Sequence, residues 1–523
     1  MAPRVARRAA IRYGAVYGVC LVAFTAVVCR FADRHTGFSP LIQFGERYAA
    51  RRLPELSTVP LYTYDFDGYD GQFYAQVAVA KSPFNPPLAW ALDAPAYRAR
   101  RILVPLLAHV IGLGRPALVV QVYALLGLVS LWILAALLAR WWFPPGDFDN
   151  LLRWAGTLFG AGMVMGVTRS LVDGPALLLV AVGVRAVERA RVGRAVAWFA
   201  LAGLARETSL LAAAAFWPPA AFTRSGWRRA ALATVACAAP TIVWVAVLAR
   251  SGRPWGGVRN LGAPFVALAS KLGDIGAQVG ARGADAPVLG EVLAVLSTLV
   301  QVAYVIGRPR PAQVWWRVAA PFAVLSLCLG VPVWEGFPSA GARAALPLAL
   351  AFNRLVPRTR RGLALLIAGN LSMLAAGAII ESAIPSEQTR FVDGVRLIYG
   401  SGWYEPEHRG RQVWRWASGP ASFTLRNPNR DTKLAEVTAT ARAISGRTVT
   451  IQTASAGTVW QGYLPANQQS AIRIGPLSLA PGETTFTVTS DTAPVVEPAA
   501  SHRPLAVSIR DLYVDPRTEP KPD

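Results

Sequence analysis

The sequence predicts a polytopic α-helical membrane protein that ends in an extracytoplasmic β-sandwich. Apolar residues fill 53% of the 523 positions and mean hydropathy is +0.35, values of a polytopic membrane chain rather than of a soluble multidomain protein. The formal charge of +23 is carried almost wholly by arginines, which gather at the ends of apolar runs. They form no continuous basic stripe, so nucleic acid is not an expected partner. Beyond residue 384 the long apolar runs stop and short alternating stretches replace them.

Arg4, Arg7, Arg8 and Arg12 precede or open the first apolar run, 11–31, and so place the N-terminus in the cytoplasm. That run is too long for a signal peptide and lacks a small-residue cleavage site; it is expected to remain as a transmembrane helix. A long external loop, 32–115, follows. It ends in ILVPLLAHVIGLG, 102–114, which is too short to cross ~30 Å of hydrocarbon and is read as an interfacial or half-inserted helix. Charge decides this register: RAVERARVGR, 185–194, is the strongest inside signal, and a complete span at 102–114 would turn it outward. Spans are then expected at 117–139, 154–167, 175–187, 195–205, 208–222, 230–249, 291–306, 318–333, 342–356 and 362–384, with a Gly-rich outer loop up to residue 290. The total is about eleven transmembrane helices with an external C-terminus.

The transmembrane domain is therefore expected over 1–384. From 385 to 515, stretches such as SFTLRN, RTVTIQTA and ETTFTVTS alternate with turn signals such as NPNRD and APGE, the pattern of a β-sandwich or jelly roll. Its aromatic residues Trp403, Tyr404, Trp414, Trp416 and Trp460 could stack on sugar rings, but the expected place of the tryptophans is the sandwich core. Residues 516–523, PRTEPKPD, read as a disordered tail. The four cysteines, Cys20, Cys29, Cys237 and Cys328, lie in or at the ends of apolar runs without metal-ligand spacing and are read as small core residues.

The chemistry concentrates in YTYDFDGYDGQFYAQVAVA, 62–80, where Asp65, Asp67 and Asp70 stand among aromatics and glycines in an otherwise basic chain. Asp67 and Asp70 would share one side of a helical turn, and an acidic cluster in a membrane protein is where chemistry is to be sought. A single aspartate could instead cap the helix that starts near Gly71, but a cap needs one carboxylate and three are present. Arg169 and Asp173, four apart, could form a purely structural pair at a helix end as the alternative to a substrate-binding role. Arg206 and Glu207 lie deeper in apolar sequence, where a functional role is favoured over a surface pair. Arg343 opens a span and serves equally well as an interfacial anchor. His109 has no second ligand nearby, which argues against a metal there.

The motif YDGQFYAQVA, followed by AYRARRILVPLLAHVIG, resembles the first external loop of the GT-C superfamily of membrane glycosyltransferases. It is similar in particular to the bacterial cell-surface glycopolymer formation proteins and, more distantly, to the mannosyltransferases of GPI-anchor assembly. In the latter the aspartate follows a tryptophan; here Tyr69 precedes it. The resemblance implies sugar transfer from a polyprenyl-phosphate donor to a glycan or glycolipid acceptor at the outer face of the bacterial cytoplasmic membrane. By the same resemblance Asp70 is the catalytic base, with Asp67 second, and Asp65 is a supporting residue beside Tyr69 and Gln72.

The reaction so implied needs a carboxylate within reach of an attacking hydroxyl and cations against a leaving lipid phosphate. Arg98, Arg100, Arg101, Arg169, Arg206 and Arg343 are the outer-face candidates, with Asp173 and Glu207 beside them. For Arg98, Arg100 and Arg101, snorkelling to headgroups is an equal alternative. The sequence specifies no cofactor; a divalent metal, Mg2+ or Mn2+, held by Asp67 and Asp70 is the option left open. A transporter or flippase, and a polymerase or ligase of lipid-linked glycans, are the alternative activities. A transporter would show ionisable residues near mid-bilayer, whereas here they gather at the outer ends of spans.

Overall fold

The computed structural model describes the chain except for residues 1–2, 34–35, 65–66, 219–223, 251–257, 283–284, 338, 385–394, 410–411, 428–431, 497–502 and 517–523. The chain divides into two compact units: Met1–Arg30 with Asp70–Ala383, and Phe31–Tyr69 with Ile384–Asp523. The long first loop is thus split. Its first part groups with the sheets and its second part, from Asp70, with the helices.

In the helical unit, α1 (Pro3–Cys29) is followed after the loop by α2 (Asp70–Val79) and α3 (Leu103–Ile111). The nine residues of α3 would rise only about 14 Å, well short of a bilayer. His109 of α3 donates through Nδ1 to the Ala78 carbonyl at 2.8 Å and ties α3 to α2. Next come α4 (Pro116–Trp141), α5 (Phe148–Leu158), α6 (Ala161–Thr168), α7 (Asp173–Glu188) and α8 (Val192–Ala205). A 3-10 helix, Glu207–Phe216, leads into α9 (Arg224–Ala249), α10 (Val266–Arg282), α11 (Ala286–Gly307) and α12 (Val314–Leu327). The unit closes with α13 (Gly341–Ala344), α14 (Leu346–Leu355), α15 (Arg360–Gly369) and α16 (Ala376–Ala383).

Among the described residues five helices are long and apolar enough to cross a membrane: Arg8–Cys29, Pro116–Trp141, Arg224–Ala249, Ala286–Gly307 and Arg360–Ala383. A sixth is added if α5 and α6, which meet at 46°, count as one broken span. The count expected from the sequence, about eleven by hydropathy and charge, treats every apolar run except 102–114 as a complete span. The structure instead resolves several of those runs into pieces. The run at 154–167 breaks at Phe159 and Gly160, where Gly160 is the N-cap of α6. Of the run at 208–222, the part up to Phe216 forms the 3-10 helix, and 219–222 lie outside the described residues. The Gly-rich segment expected as a loop contains α10, seventeen residues long, with Gly273, Gly276 and Gly280 in its interior. Ala267, Leu268 and Ile275 bury one face of it against Val295, Leu329 and Trp334, so apolar spacing overrides the low helix propensity of glycine.

The second unit begins with a short parallel pair, β1 (Phe44–Gly45) and β2 (Thr63–Tyr64). Its sheets use β3 (Arg396–Tyr399), β4 (Glu407–Arg409), β5 (Gln412–Trp416), β6 (Ala421–Asn427), β7 (Lys433–Arg442), β8 (Arg447–Thr453), β9 (Gly457–Leu464), β10 (Gln469–Leu479) and β11 (Gly482–Ser490). The strands β12 (Val495–Val496) and β13 (Pro504–Leu505) pair with each other, and β14 (Ser508–Pro516) completes the set. Two five-stranded antiparallel sheets result, ordered β10-β7-β14-β5-β4 and β3-β6-β11-β8-β9. Alternate residues of β6 (Ala421, Phe423, Leu425) and β11 (Phe486, Val488) point into one shared core, the period-2 pattern of a half-buried strand. Phe423 and Phe486 stack there with ring centroids 4.8 Å apart. Trp416 is buried, while Trp403 and Trp460 lie against the core. The tail 516–523 lies, beyond Pro516, outside the described residues. Of the free cysteines Cys237 is buried, but Cys29, at the end of α1, is exposed rather than part of a core.

Candidate active site

Asp70 is the first residue of α2, and Gly68 just before it takes φ of 75°, a left-handed turn that glycine adopts without strain. Its Oδ1 accepts an ion pair from Arg98 Nη2 at 2.9 Å, and its Oδ2 faces Arg343 Nη2 at 3.4 Å. Both oxygens are thus spent on guanidinium groups rather than on a helix cap. A quarter of the side chain, 26%, stays exposed. Burial pushes this carboxyl up, but Arg98 and then Arg343 outweigh it and hold it well below the usual carboxylate range.

Each arginine is fixed by its own partners. Arg98 closes a short helix, Pro95–Ala99, and donates through Nε and Nη2 to the two oxygens of Asp93 at 2.8 and 2.7 Å. Its guanidinium also lies 4.8 Å from the Phe73 ring centroid. Arg101 donates through Nε to Glu207 Oε2 and through Nη2 to Oε1, both at 2.8 Å, the bidentate geometry peculiar to arginine and carboxylate. Arg101 also donates to the hydroxyls of Tyr74 at 2.5 Å and Tyr97 at 3.0 Å. Arg100 reaches Glu207 Oε1 at 2.6 Å. Burial pushes the Glu207 carboxyl up; Arg101, with Arg100 behind it, outweighs burial and keeps it below the ordinary range.

Asp173, only 1% exposed, is the first residue of α7 and pairs with Arg206 and, at 3.4 Å, with Arg343 Nη1. Arg343 therefore bridges Asp70 and Asp173. It sits on α13, whose backbone lies directly on Gly162 of α6; a Cβ there would overlap the Ala342 carbonyl oxygen. The chain thus brings Asp70, Arg98, Arg101, Asp173, Arg206, Glu207 and Arg343 into one network drawn from 70–101, 173, 206–207 and 343. Gln72 is buried on α2. Arg169, buried at the end of α6, donates to Ser382 Oγ of α16 at 3.1 Å.

Two expected members group with the second unit. Asp67 belongs to the second unit, where its carboxylate, 62% exposed, pairs with the still more exposed Arg47 at 2.9 Å; it is a surface ion pair, not a buried acid. Tyr69 is in the same unit, and its backbone N–H donates to the Gln43 carbonyl at 2.9 Å. Asp65 lies outside the described residues. The residues around Asp70 do not fit a divalent cation, because both its oxygens face guanidiniums. Among the described residues no three His, Cys, Asp or Glu side chains come close enough to hold a metal ion.

Sequence reasoning missed Asp93, Tyr74 and Tyr97. Asp93 stands five residues before Arg98, a spacing that no regular element would pair, so only the turn into Pro95–Ala99 brings them together. A signal for the tyrosines does exist: Tyr97 lies four residues before Arg101, the spacing of neighbours on a helix.

Beside the network runs an apolar groove of about 710 Å³, lined among others by Ile102, Leu106, Leu204, Pro240, Val243 and Trp244. Ile102 follows Arg101 in the chain, Leu204 precedes Arg206 by two residues, and Trp244 Nε1 donates to the Ala99 carbonyl at 2.9 Å. Cations and groove are therefore contiguous.

Membrane-length apolar helices, a buried arginine–carboxylate network and an adjoining apolar groove define the class: a multi-pass membrane protein with an ionic site. The chain matches no protein-family model and no curated protein sequence. Among solved structures it is similar to the arabinosyltransferase EmbB from Mycobacterium smegmatis, with 12% identity over 95% of this chain and 64% of that one, at a TM-score of 0.33. It is also similar to the GH26-CBM35 β-(1,4)-mannanase of Podospora anserina, with 14% identity over 26% of this chain and 27% of that one, at a TM-score of 0.17. The chain spans less than two thirds of the length of either protein, and likenesses at these scores assign no family.

Proposed function

We propose that the chain is a GT-C-type membrane glycosyltransferase acting at the outer face of the bacterial cytoplasmic membrane, with a cytoplasmic N-terminus. It moves a sugar from a polyprenyl-phosphate donor to a glycan or glycolipid acceptor. The observation that carries this reading is Asp70, an ionised carboxylate held between Arg98 and Arg343 next to an apolar groove. The lipid tail takes the groove, and the phosphate takes the guanidiniums of Arg98, Arg101, Arg206 and Arg343.

The acceptor hydroxyl attacks the anomeric carbon, a new C–O bond forms, and the bond to the lipid phosphate breaks. The proton passes to Asp70 and the leaving phosphate keeps the electron pair on its oxygen. A carboxylate pinned by two arginines is a poor base. An arriving phosphate competes for those arginines, and as Arg343 turns toward it the Asp70 carboxyl regains basicity. No metal takes part in this scheme.

The test is transfer of labelled sugar from a polyprenyl-phosphate donor by the purified full chain and by Asp70→Asn. Transfer by the parent and its loss in the variant, at equal protein levels, supports the reading. Full activity in the variant overturns the role of Asp70. Movement of intact lipid-linked glycan across proteoliposomes without transfer would make the protein a flippase.

A further inference from the structure

A second cavity, of about 570 Å³, lies at the other end of α7 from Asp173. Its lining includes Glu188, the last residue of that helix, so about 22 Å of helix rise separates it from the Asp70 network. Ends of α4, α7, α11, α12 and α14 converge there, which puts the cavity at the depth of lipid headgroups beside spans α4 and α11.

Four arginines line it: Arg153, Arg310, Arg354 and Arg358. Their roles differ. Arg153 is fully engaged, with Nε and Nη2 on Asp149 at 2.6 and 3.1 Å and Nη1 on the Asn353 carbonyl at 2.5 Å. Arg358 shares Asp149 at 3.6 Å and donates to Asn150 Oδ1 at 2.5 Å. Arg310 donates only to a neutral group, the Leu355 carbonyl at 3.1 Å, and Arg354 is exposed. Neither has a carboxylate partner among the described residues.

The one acid in the wall cannot serve them, because Glu188 already accepts from Trp142 Nε1 at 3.0 Å, Trp315 Nε1 at 2.9 Å and Arg185 Nη1 at 2.9 Å. Those bonds set the two indoles edge to face, 4.9 Å apart, as a rigid aromatic wall. Phe143, Val314, Leu355, Val356 and Pro357 add an apolar stretch to the wall beside Gln313. Uncompensated guanidiniums over an apolar, aromatic floor, in a volume typical of small-molecule sites, select an anion carried on an apolar stem.

We infer that this cavity binds a phosphate-bearing amphiphile through Arg310, Arg354 and Arg358, as a site separate from the Asp70 network. Two sources share that chemistry: the headgroup of an anionic phospholipid and a soluble phosphate. The experiment titrates the purified full chain in detergent with short-chain phosphatidic acid, short-chain phosphatidylcholine and inorganic phosphate, and reads binding by native mass spectrometry. Saturable binding of phosphatidic acid, at least tenfold tighter than of phosphatidylcholine, is expected. The double substitution Arg310→Gln/Arg354→Gln should weaken it by tenfold or more.

Arg354→Gln alone removes an exposed side chain. It should elute as a single species with unchanged Tm and still bind several-fold more weakly, which separates loss of the site from loss of the fold. Displacement of phosphatidic acid by inorganic phosphate would identify the soluble anion as sufficient; resistance to it would identify the lipid headgroup. Equal binding of the two lipids, or parent-like affinity in the double variant, overturns the site.

Discussion

Arg101 grips Glu207 through two hydrogen bonds of 2.8 Å, joining the end of the first loop to the start of a 3-10 helix 106 residues later. Arg100 adds a third at 2.6 Å. Glu207→Gln leaves two arginines facing a neutral amide, and removing one partner of a largely buried pair costs about 3 kcal/mol. A clear fall in Tm of the detergent-solubilised protein is expected. A double-mutant cycle with Arg101→Gln should return a coupling energy of the same order.

Asp70→Asn keeps the shape of the side chain and removes its charge. Proton transfer by a positioned base contributes on the order of 10²- to 10⁴-fold, and a loss of sugar transfer of that size is expected in a donor-to-acceptor assay. Asp67→Asn removes the charge of a side chain that is 62% exposed and pairs with Arg47, so both its activity and its Tm should stay close to the parent's.

The acid limb of the pH profile should separate free enzyme from complex. In the free enzyme Asp70 is held below the usual carboxylate range, so kcat/KM should persist to pH values under ~4. Once a phosphate draws Arg343 and Arg98 away, the limb in kcat should move to higher pH. Coincident limbs would show that the arginines never leave Asp70. Stability follows the same sign. Asp70 and Glu207 have depressed folded-state values, so their contribution is complete above the unfolded carboxylate range and fades only as pH falls through the lowered ones.

Gly162 supplies a test that touches no charged group. A side chain at this position would push against Ala342 and shift α13, carrying Arg343 away from both Asp70 and Asp173. Gly162→Val is expected to reduce transfer by tenfold or more, the scale of a misplaced catalytic contact. Gly14→Val, at an open position on α1, should not.

Parts of this arrangement are legible before any fold is known. Asp70 stands out because an acid before an apolar helix in a basic membrane chain has few bland explanations. The alternation of β6 and β11 announces a two-layer sheet domain. Asp67 looks equally acidic in sequence, and only the pairing with Arg47 reveals it as surface. Breaks within apolar runs, such as the one at Phe159 and Gly160, leave hydropathy unchanged and so stay invisible to it. Gly273, Gly276 and Gly280 mislead in the opposite direction, since tertiary packing of Leu268 and Ile275 makes a helix where composition suggests a loop. Asp93 escapes because its contact depends on a turn, not on a period.

The Asp70 network is close to electroneutral at rest: five guanidiniums, of Arg98, Arg100, Arg101, Arg206 and Arg343, face the carboxylates of Asp70, Asp93, Asp173 and Glu207. These arginines are paired inside the protein with internal carboxylates rather than left facing water. An incoming phosphate does not land on a bare basic surface. On the proposed reading it displaces a resident carboxylate, which would make recognition an exchange of counter-ions inside the protein. Such an exchange releases few ions to the bulk, and ionic strength should therefore perturb substrate affinity far less than the chain's net charge of +23 would lead one to expect.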